Sequence, residues 1–395
     1  MLPSTAPTNS ASCRLQDFLL YFVRLGTFGF GGPIALAARM EKDLVGGRRW
    51  IARQDYVEGL AFSQLSPGPL AAQLAMYLGW VRAARFGAAV VSAAFILPSF
   101  LMAVALAAAY VFVGRLTWIQ EVFYGIGAAV IAIIAQSAYR LARRTVGKDP
   151  LLWVLLGSVA ITTVWSGAEI VWLFVLCGLI SLVVKATPTF LAKPVVPSIA
   201  AGGGWLFTGI QGTASASVLW TLAVFFMKAG AFVFGSGLAI VPFLYGGVVS
   251  RFHWLSERQF LDAIAVAMIT PGPVVITSAF IGYLVAGVVG GTVAAIAVFA
   301  PPFLIVILAA PYYRRFASNR QAKAFVQGVT AAAVGAIAGA AVILGSRALV
   351  DASTIFIAVM TFGALRWVKK VPEPVLILMA GVAGLALRRG FGYGS

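Results

Sequence analysis

Residues 64–73 read QLSPGPLAAQ and residues 268–277 read MITPGPVVIT, so one Pro-Gly-Pro knot is written twice into sequence that is otherwise apolar enough to sit in lipid. Proline cannot extend a helix and biases the residue before it away from helical geometry, so Pro67 ends the arm at 55–66. Pro69 suits the first position of a new arm at 70–84, where a missing N–H costs nothing. Gly68 between them accepts a left-handed backbone and lets other groups approach the main chain. Pro271, Gly272 and Pro273 repeat the device.

The surroundings are those of a membrane protein. Of 395 residues, 61% are hydrophobic and 10% charged, far from the balance of a soluble domain. Apolar runs near 16–38, 86–112, 120–142, 150–167, 169–184, 218–240, 287–311, 324–345, 353–365 and 374–387 approach the roughly 20 residues that cross a hydrocarbon core of about 30 Å. The net charge of +17 sits in short clusters between these runs, as in RMEKDLVGGRRW at 39–50. Charge placed this way sets membrane orientation and does not point to nucleic acid. Cys13, Cys177 and the single His253 offer no disulfide framework, metal site or cofactor fingerprint, which leaves a membrane redox enzyme without machinery. The first 14 residues are polar with no basic leader, so the first run reads as a retained helix and not as a cleaved signal.

Sliding the chain against itself gives a match at an offset of 204 residues. RLGTFGFGGP at 24–33 falls on KAGAFVFGSG at 228–237, Trp50 on Trp254, Glu58 on Asp262, and the first knot on the second. One deleted residue brings the offset to 203, where Gly79, Gly87, Pro98 and Gly125 fall on Gly282, Gly290, Pro301 and Gly328. The chain therefore divides into a repeat at 1–184, a Pro- and Gly-rich linker at 185–215 and a second repeat at 216–395.

Loop charge sets the handedness of the repeat. The segments 39–53, 82–85 and 140–148 hold eleven Lys and Arg, against two in their counterparts 243–257, 285–288 and 343–351. The bias reverses elsewhere, with one in 113–122 and 163–168 against seven in 314–325 and 366–372. Under the positive-inside rule the two halves are inverted. Arms 55–66 and 70–84 would be about 18 and 22 Å long as helices, too short to cross alone. Both flanking loops are basic and both counterparts are poor, which predicts a re-entrant helical hairpin with its tip at Pro-Gly-Pro. The expected fold is an all-α polytopic membrane protein of two inverted repeats, each with about five spanning helices plus one such hairpin. A single spanning helix kinked by proline is the other reading, and it would put 39–53 and 82–85 on opposite sides.

Irregular backbone at membrane depth is tolerated only inside protein or against a wet cavity, so the tips are candidate sites. A helix N-terminus there offers unused N–H groups and about half a positive charge to an oxyanion. The expected donors are Gly68, Leu70 and Ala71, mirrored by Gly272, Val274 and Val275, with hydroxyls from Ser66 and Thr270 and with Gln64, Gln73 and Thr277 one turn away. Two such ends across a pseudo-twofold would hold one dianion. Arg24 and Lys228 match across the repeat within apolar runs, and are either substrate ligands or cations snorkelling to the surface. Glu58 and Asp262 also match, and read either as proton-coupling carboxylates or as caps and salt bridges at the membrane surface. Gly31, Gly32 and Pro33, with Gly235 and Gly237, would let the first helix of each half bend or pack closely on a hairpin; small-residue packing alone also accounts for glycines in lipid.

Together FGFGGP at 28–33, SQLSPGP about thirty residues on at 63–69, FGSG at 234–237 and TPGP at 270–273 resemble the chromate transporter family, in its long two-domain form. The similarity runs from about 16 to 387. It implies a bacterial inner-membrane carrier that exports chromate and confers resistance, with sulfate as a structural analogue and proton-motive force as energy source. Gly32-Pro33 has no counterpart, since Ser236-Gly237 stands there, so the two half-sites need not be equivalent. A passive anion channel or a carrier of sulfate or another oxyanion stays open as an alternative. The expected partners are the oxyanion and the lipid bilayer, with no cofactor and no nucleic acid, and a homodimer is left open.

Overall fold

A computed structural model describes residues 13–113, 116–166, 171–186, 215–233, 237–313, 319–368 and 371–390. Among these the chain is helical, with no strand. Apolar side chains such as Val154, Ile161, Ile296 and Val359 stand exposed on the outside, where a water-soluble protein would be polar. The long helices around 85–113, 117–145, 288–309 and 320–348 are apolar enough to cross a membrane.

The first apolar run does not cross as one helix. α1 (Leu15–Phe28) and α2 (Gly32–Met40), the latter continued by a π-helical turn at Glu41–Gly47, lie antiparallel. Tyr21 donates to Asp43 Oδ2 at 3.3 Å, and the Arg48 guanidinium covers the rings of Tyr21 and Trp50. Residues so far apart in sequence meet only if the chain reverses between the two helices. Gly31 (φ +102°) and Gly32 (φ +47°) make the reversal, and Pro33 at the start of α2 is pre-set for helix. The second half repeats this. α8 (Ala216–Phe232) turns back into a 3₁₀ turn at Gly237–Ala239, α9 (Ile240–Leu244) and a π-helical turn at Tyr245–Arg251. Phe225 on α8 stacks on Phe243 at 5.1 Å and meets Trp254 edge-on at 5.7 Å. The expectation of a spanning first helix in each half is thus corrected to a helical hairpin, because the Gly-rich motif reverses the chain instead of bending it.

The Pro-Gly-Pro hairpin follows. α3 (Arg53–Leu65) runs beside the first arm of α4 (Leu70–Val113), with Phe62 and Tyr77 rings 5.5 Å apart and Gly59 pressed on the Tyr77 ring. At Ala83 and Ala84 α4 leaves helical geometry and doubles back. Gly79 then faces the Gly87 carbonyl and Val91, too close for a Cβ on either glycine. In a straight helix those glycines would be about 12 Å apart. The second half matches: α10 (Glu257–Ile269), a 3₁₀ turn at Val274–Ile276, and α11 (Thr277–Ala309), which folds at Ala286 and Gly287 and sets Gly282 against Gly290. Ala84 holds φ +47° where its counterpart is Gly287, so the first half carries strain the second avoids.

Four helices per half remain: the long arm 85–113, α5 (Thr117–Thr145), α6 (Pro150–Ser166) and α7 (Val171–Lys185), then the long arm 288–309, α12 (Arg320–Ala348), α13 (Ala352–Trp367) and α14 (Glu373–Gly390). Local signals start several of them: Asn319 caps α12, and capping boxes of Ser256 with Gln259 and Asp351 with Thr354 open α10 and α13. At the base of α6 and α7, Lys185 binds Asp149 and holds its carboxyl below the usual carboxylate range.

These helices pack across the repeat. α6 and α7 lie on α12, and α13 and α14 lie on α5. Glycines permit the close approach at equivalent places: Gly328 against the Cys177 carbonyl, and Gly125 against the Ala380 carbonyl. At one end of the molecule Lys185 reaches Gln327 at 3.0 Å and Arg140 meets Glu373 at 3.3 Å. At the other end Arg258 donates to the Gln120 carbonyl at 3.1 Å, Arg389 pairs with Glu121 at 3.2 Å, and Tyr124 bonds Asp351. The hairpins of the first half are therefore based at one end and those of the second half at the other. The segment 187–214, which holds most of the expected linker, lies outside the described residues.

Candidate functional site

The described residues at the hairpin tips are joined across the two halves in two places. The Gly68 N–H donates to the Val233 carbonyl at 2.5 Å and the Gly272 N–H donates to the Gly29 carbonyl at 3.0 Å. Positions 68 and 272, and likewise 29 and 233, are equivalent at the 204-residue offset. Each Pro-Gly-Pro tip is thus tied to the first-hairpin tip of the opposite half, and the two ties are related by the pseudo-twofold. Both glycines need their conformation: φ is +141° at Gly68 and +102° at Gly272. A Cβ on Gly68 would strike Gln73 and Pro302, and one on Gly272 would strike Ser99; Ser99 and Pro302 are themselves equivalent at offset 203.

These bonds correct part of the expected donor set. Gly68 and Gly272 spend their N–H groups on joining the halves, so neither is unused. Among the described residues no hydrogen-bond partner is recorded for the N–H groups of Leu70, Ala71, Val274 and Val275, as the first turn of a helix requires. Leu70, Ala71 and Val275 are buried, and Val274 is half-buried. Ser66 and Thr270 are buried with their hydroxyls turned back onto Phe62 and Val266 carbonyls at 2.8 and 2.7 Å, so their protons are committed. Pro67, Pro69, Pro271 and Pro273 flank the two tips as expected, and Gly237 lies against Val274. Gly31, Gly32 and Pro33 form the first-hairpin tip, while Gly235 is outside the described residues.

Arg24 and Lys228 are not gathered with these donors. Both are exposed, Arg24 beside exposed Val23 and Lys228 beside exposed Met227, on the side of α1 and α8 away from the buried Gly26 and Gly230. Glu58 and Asp262 lie on the first arms, away from the tips. Asp262 is buried and accepts from Tyr110 at 2.6 Å, a residue of the other half. Glu58 is half-buried and accepts from Gln54 at 3.0 Å on its own helix.

Sequence reasoning passed over Tyr110, Tyr313 and Ser278, and named Gln73 without its contact. Tyr110 and Tyr313 are equivalent at offset 203, a match that was available in the repeat. Gln73 is fully buried and donates to the Pro67 carbonyl at 2.7 Å, closing the tip from within. Ser278, the second residue of α11, is fully buried and its hydroxyl has no partner among the described residues, and its only signal was a small polar residue in an apolar run.

Two repeats of apolar helices, with broken helices joined across the halves, fit a membrane transport protein. The chain belongs to the chromate transporter family, whose model matches residues 16–182 and 220–385. It is 52% identical to a chromate transport protein of Cupriavidus metallidurans over 96% of this chain and 94% of the relative. It is 50% identical to a probable chromate transport protein of Synechococcus elongatus over 94% and 95%, and 29% identical to a chromate transport protein of Pseudomonas aeruginosa over 92% and 90%. No solved structure matches.

Proposed function

We propose that the chain is a secondary active transporter that exports chromate, a tetrahedral dianion like sulfate, across the bacterial inner membrane by alternating access, and so confers resistance. The observation that carries this reading is the reciprocal pair of tips, which joins two helix N-termini whose first N–H groups have no partner among the described residues, in a chain of the chromate transporter family. Leu70 and Ala71 from one half and Val274 and Val275 from the other supply main-chain donors, and the Ser278 hydroxyl adds one beside them. The positive ends of the two helices favour a dianion without burying a full cation next to it. Arg24 and Lys228, exposed on α1 and α8, raise the local concentration of anions before entry.

The inverted arrangement is supported by the contacts between opposite ends of the halves and by the reversed loop charges. With the basic loops inside, the bases of the first-half hairpins face the cytoplasm. Glu58 and Asp262 are assigned to proton traffic, since they are equivalent at the 204-residue offset and each is the sixth residue of the first arm of its Pro-Gly-Pro hairpin.

Everted membrane vesicles test the reading. Chromate uptake should require an imposed proton gradient, compete with sulfate more than with molybdate, and fall in Arg24→Ala and Lys228→Ala. Flux that equilibrates but cannot be concentrated by any gradient would make the protein a passive channel.

A further inference from the structure

The geometry points to a binding site for one zwitterionic phospholipid with a primary ammonium headgroup, set between α6, α12 and the turn that precedes α10. Two adjoining hollows form it. A groove of about 420 Å³ runs between Ala160, Ile161 and Val164 of α6 and Ala338, Gly339 and Val342 of α12. A second hollow of about 720 Å³ continues from it, sharing Val164, Trp165 and Val342, and is lined beyond them by Tyr245, Ser250, His253, Glu257, Ser346 and Arg347.

Position along the helices sets the depth of each hollow. α6 ends at Ser166 and α12 at Ala348, beside the base of the second-half hairpins. Ser346 and Arg347 therefore stand at the membrane surface, while Ala160 and Gly339 lie about two turns deeper. Trp165, 89% exposed on the last turn of α6, is at the level of the lipid headgroups, where indoles concentrate. Ile161 and Val342 are 66% and 58% exposed on the walls of the groove. Apolar walls at that depth meet the upper part of an acyl chain. The floor is low because Ala160, Ala338 and Gly339 are small. Gln136 and Tyr139 stand at the first-half counterparts of Gly339 and Val342, so the groove is not a product of the repeat.

The polar hollow holds a cation and a carboxylate that are only loosely engaged with each other. Arg347 Nε lies 3.7 Å from Glu257 Oε1, and Tyr245 donates to that same oxygen at 2.9 Å. Among the described residues, Glu257 Oε2, the terminal nitrogens of Arg347 and the His253 ring have no hydrogen-bond partner. An exposed ion pair of this kind contributes little, so a ligand that parts it loses almost nothing. A lipid phosphate would accept from the Arg347 guanidinium, the His253 ring and the Ser250 hydroxyl, while an ammonium would donate to Glu257. The two protein charges cancel, so a headgroup that is only anionic or only cationic satisfies one of them, and a zwitterion satisfies both. A quaternary ammonium has no N–H to give Glu257, which selects an ethanolamine headgroup over choline. A solvated surface pair would need no apolar groove beside it. The first-half counterparts of Tyr245, His253, Glu257 and Arg347 are Glu41, Arg49, Arg53 and Arg144, so the balanced set belongs to this end alone.

Native mass spectrometry of the full chain tests this, with delipidated protein in detergent titrated with dioleoyl phosphatidylethanolamine, phosphatidylcholine or phosphatidylglycerol. One phosphatidylethanolamine should bind about tenfold more tightly than either of the others, the worth of a charge-assisted hydrogen bond. Glu257→Gln should abolish the preference over phosphatidylglycerol, and Arg347→Ala should weaken the binding of all three. Val342→Trp, at the exposed rim of the groove, should weaken retention of phosphatidylethanolamine without lowering the melting temperature. Equal binding of the three lipids to the unaltered chain overturns the inference, a comparison that no misfolded variant can blunt. An unchanged preference in Glu257→Gln also overturns it, and so does displacement of the lipid by millimolar inorganic phosphate, which would make the hollow a site for a free anion.

Discussion

Gly272→Ala is expected to abolish chromate transport and to lower the melting temperature of the purified protein in detergent. The backbone there has φ +102°, and a Cβ would be driven into Ser99, which itself bonds the Gly26 carbonyl at 3.1 Å. A left-handed non-glycine residue costs about 1–3 kcal/mol and overpacking a filled interior about as much again. The tip can escape both only by moving, and moving breaks the bond to the Gly29 carbonyl that ties the halves together. Gly68→Ala should behave alike, since Gln73 and Pro302 close on it from two sides. Gly46→Ala is the control, because a Cβ there meets nothing within 4 Å. Wild-type transport and melting in both tip variants would show that the tips are not tightly seated.

The second large effect is expected at Asp262. Replacing it with asparagine keeps the size and an acceptor for Tyr110 but removes the exchangeable proton. Accumulation of chromate driven by a proton gradient should be lost, whereas counterflow of chromate against preloaded chromate should persist, because exchange needs no net proton movement. Glu58→Gln should give the same split. Undiminished accumulation in both variants would remove these carboxylates from coupling, and loss of counterflow as well would point to a structural role instead.

Much of the architecture was legible in the sequence because symmetry supplied what a single segment could not. One Pro-Gly-Pro is compatible with a kinked helix. Two of them, with opposed loop charges, point to a chain that turns back, and Phe62 against Tyr77 displays that turn. The first hairpin was not legible in the same way. FGFGGP bends or reverses a helix according to what lies on the far side, and contacts such as Tyr21 with Asp43 decide it only in three dimensions. The donors at the tips were half legible. Helix geometry leaves the N–H groups of Leu70, Ala71, Val274 and Val275 without a partner in their own helix, but the use of Gly68 and Gly272 depends on carbonyls some 160 to 240 residues away in the chain. Arg24 and Lys228 show the limit of the method, since a sequence match places two cations at equivalent positions without saying which way they face.

The central claim is that the two halves are one fold turned over in the bilayer with their tips interlocked. Face-specific cysteine labelling at one pair of equivalent, open positions tests it most directly: Gly46→Cys in the first half and Ser250→Cys in the second, each in a background lacking the native cysteines, with a membrane-impermeant maleimide applied to right-side-out and to everted vesicles. Labelling of position 46 from the cytoplasmic face and position 250 from the opposite face is the predicted result, and labelling of both from the same face would contradict the account.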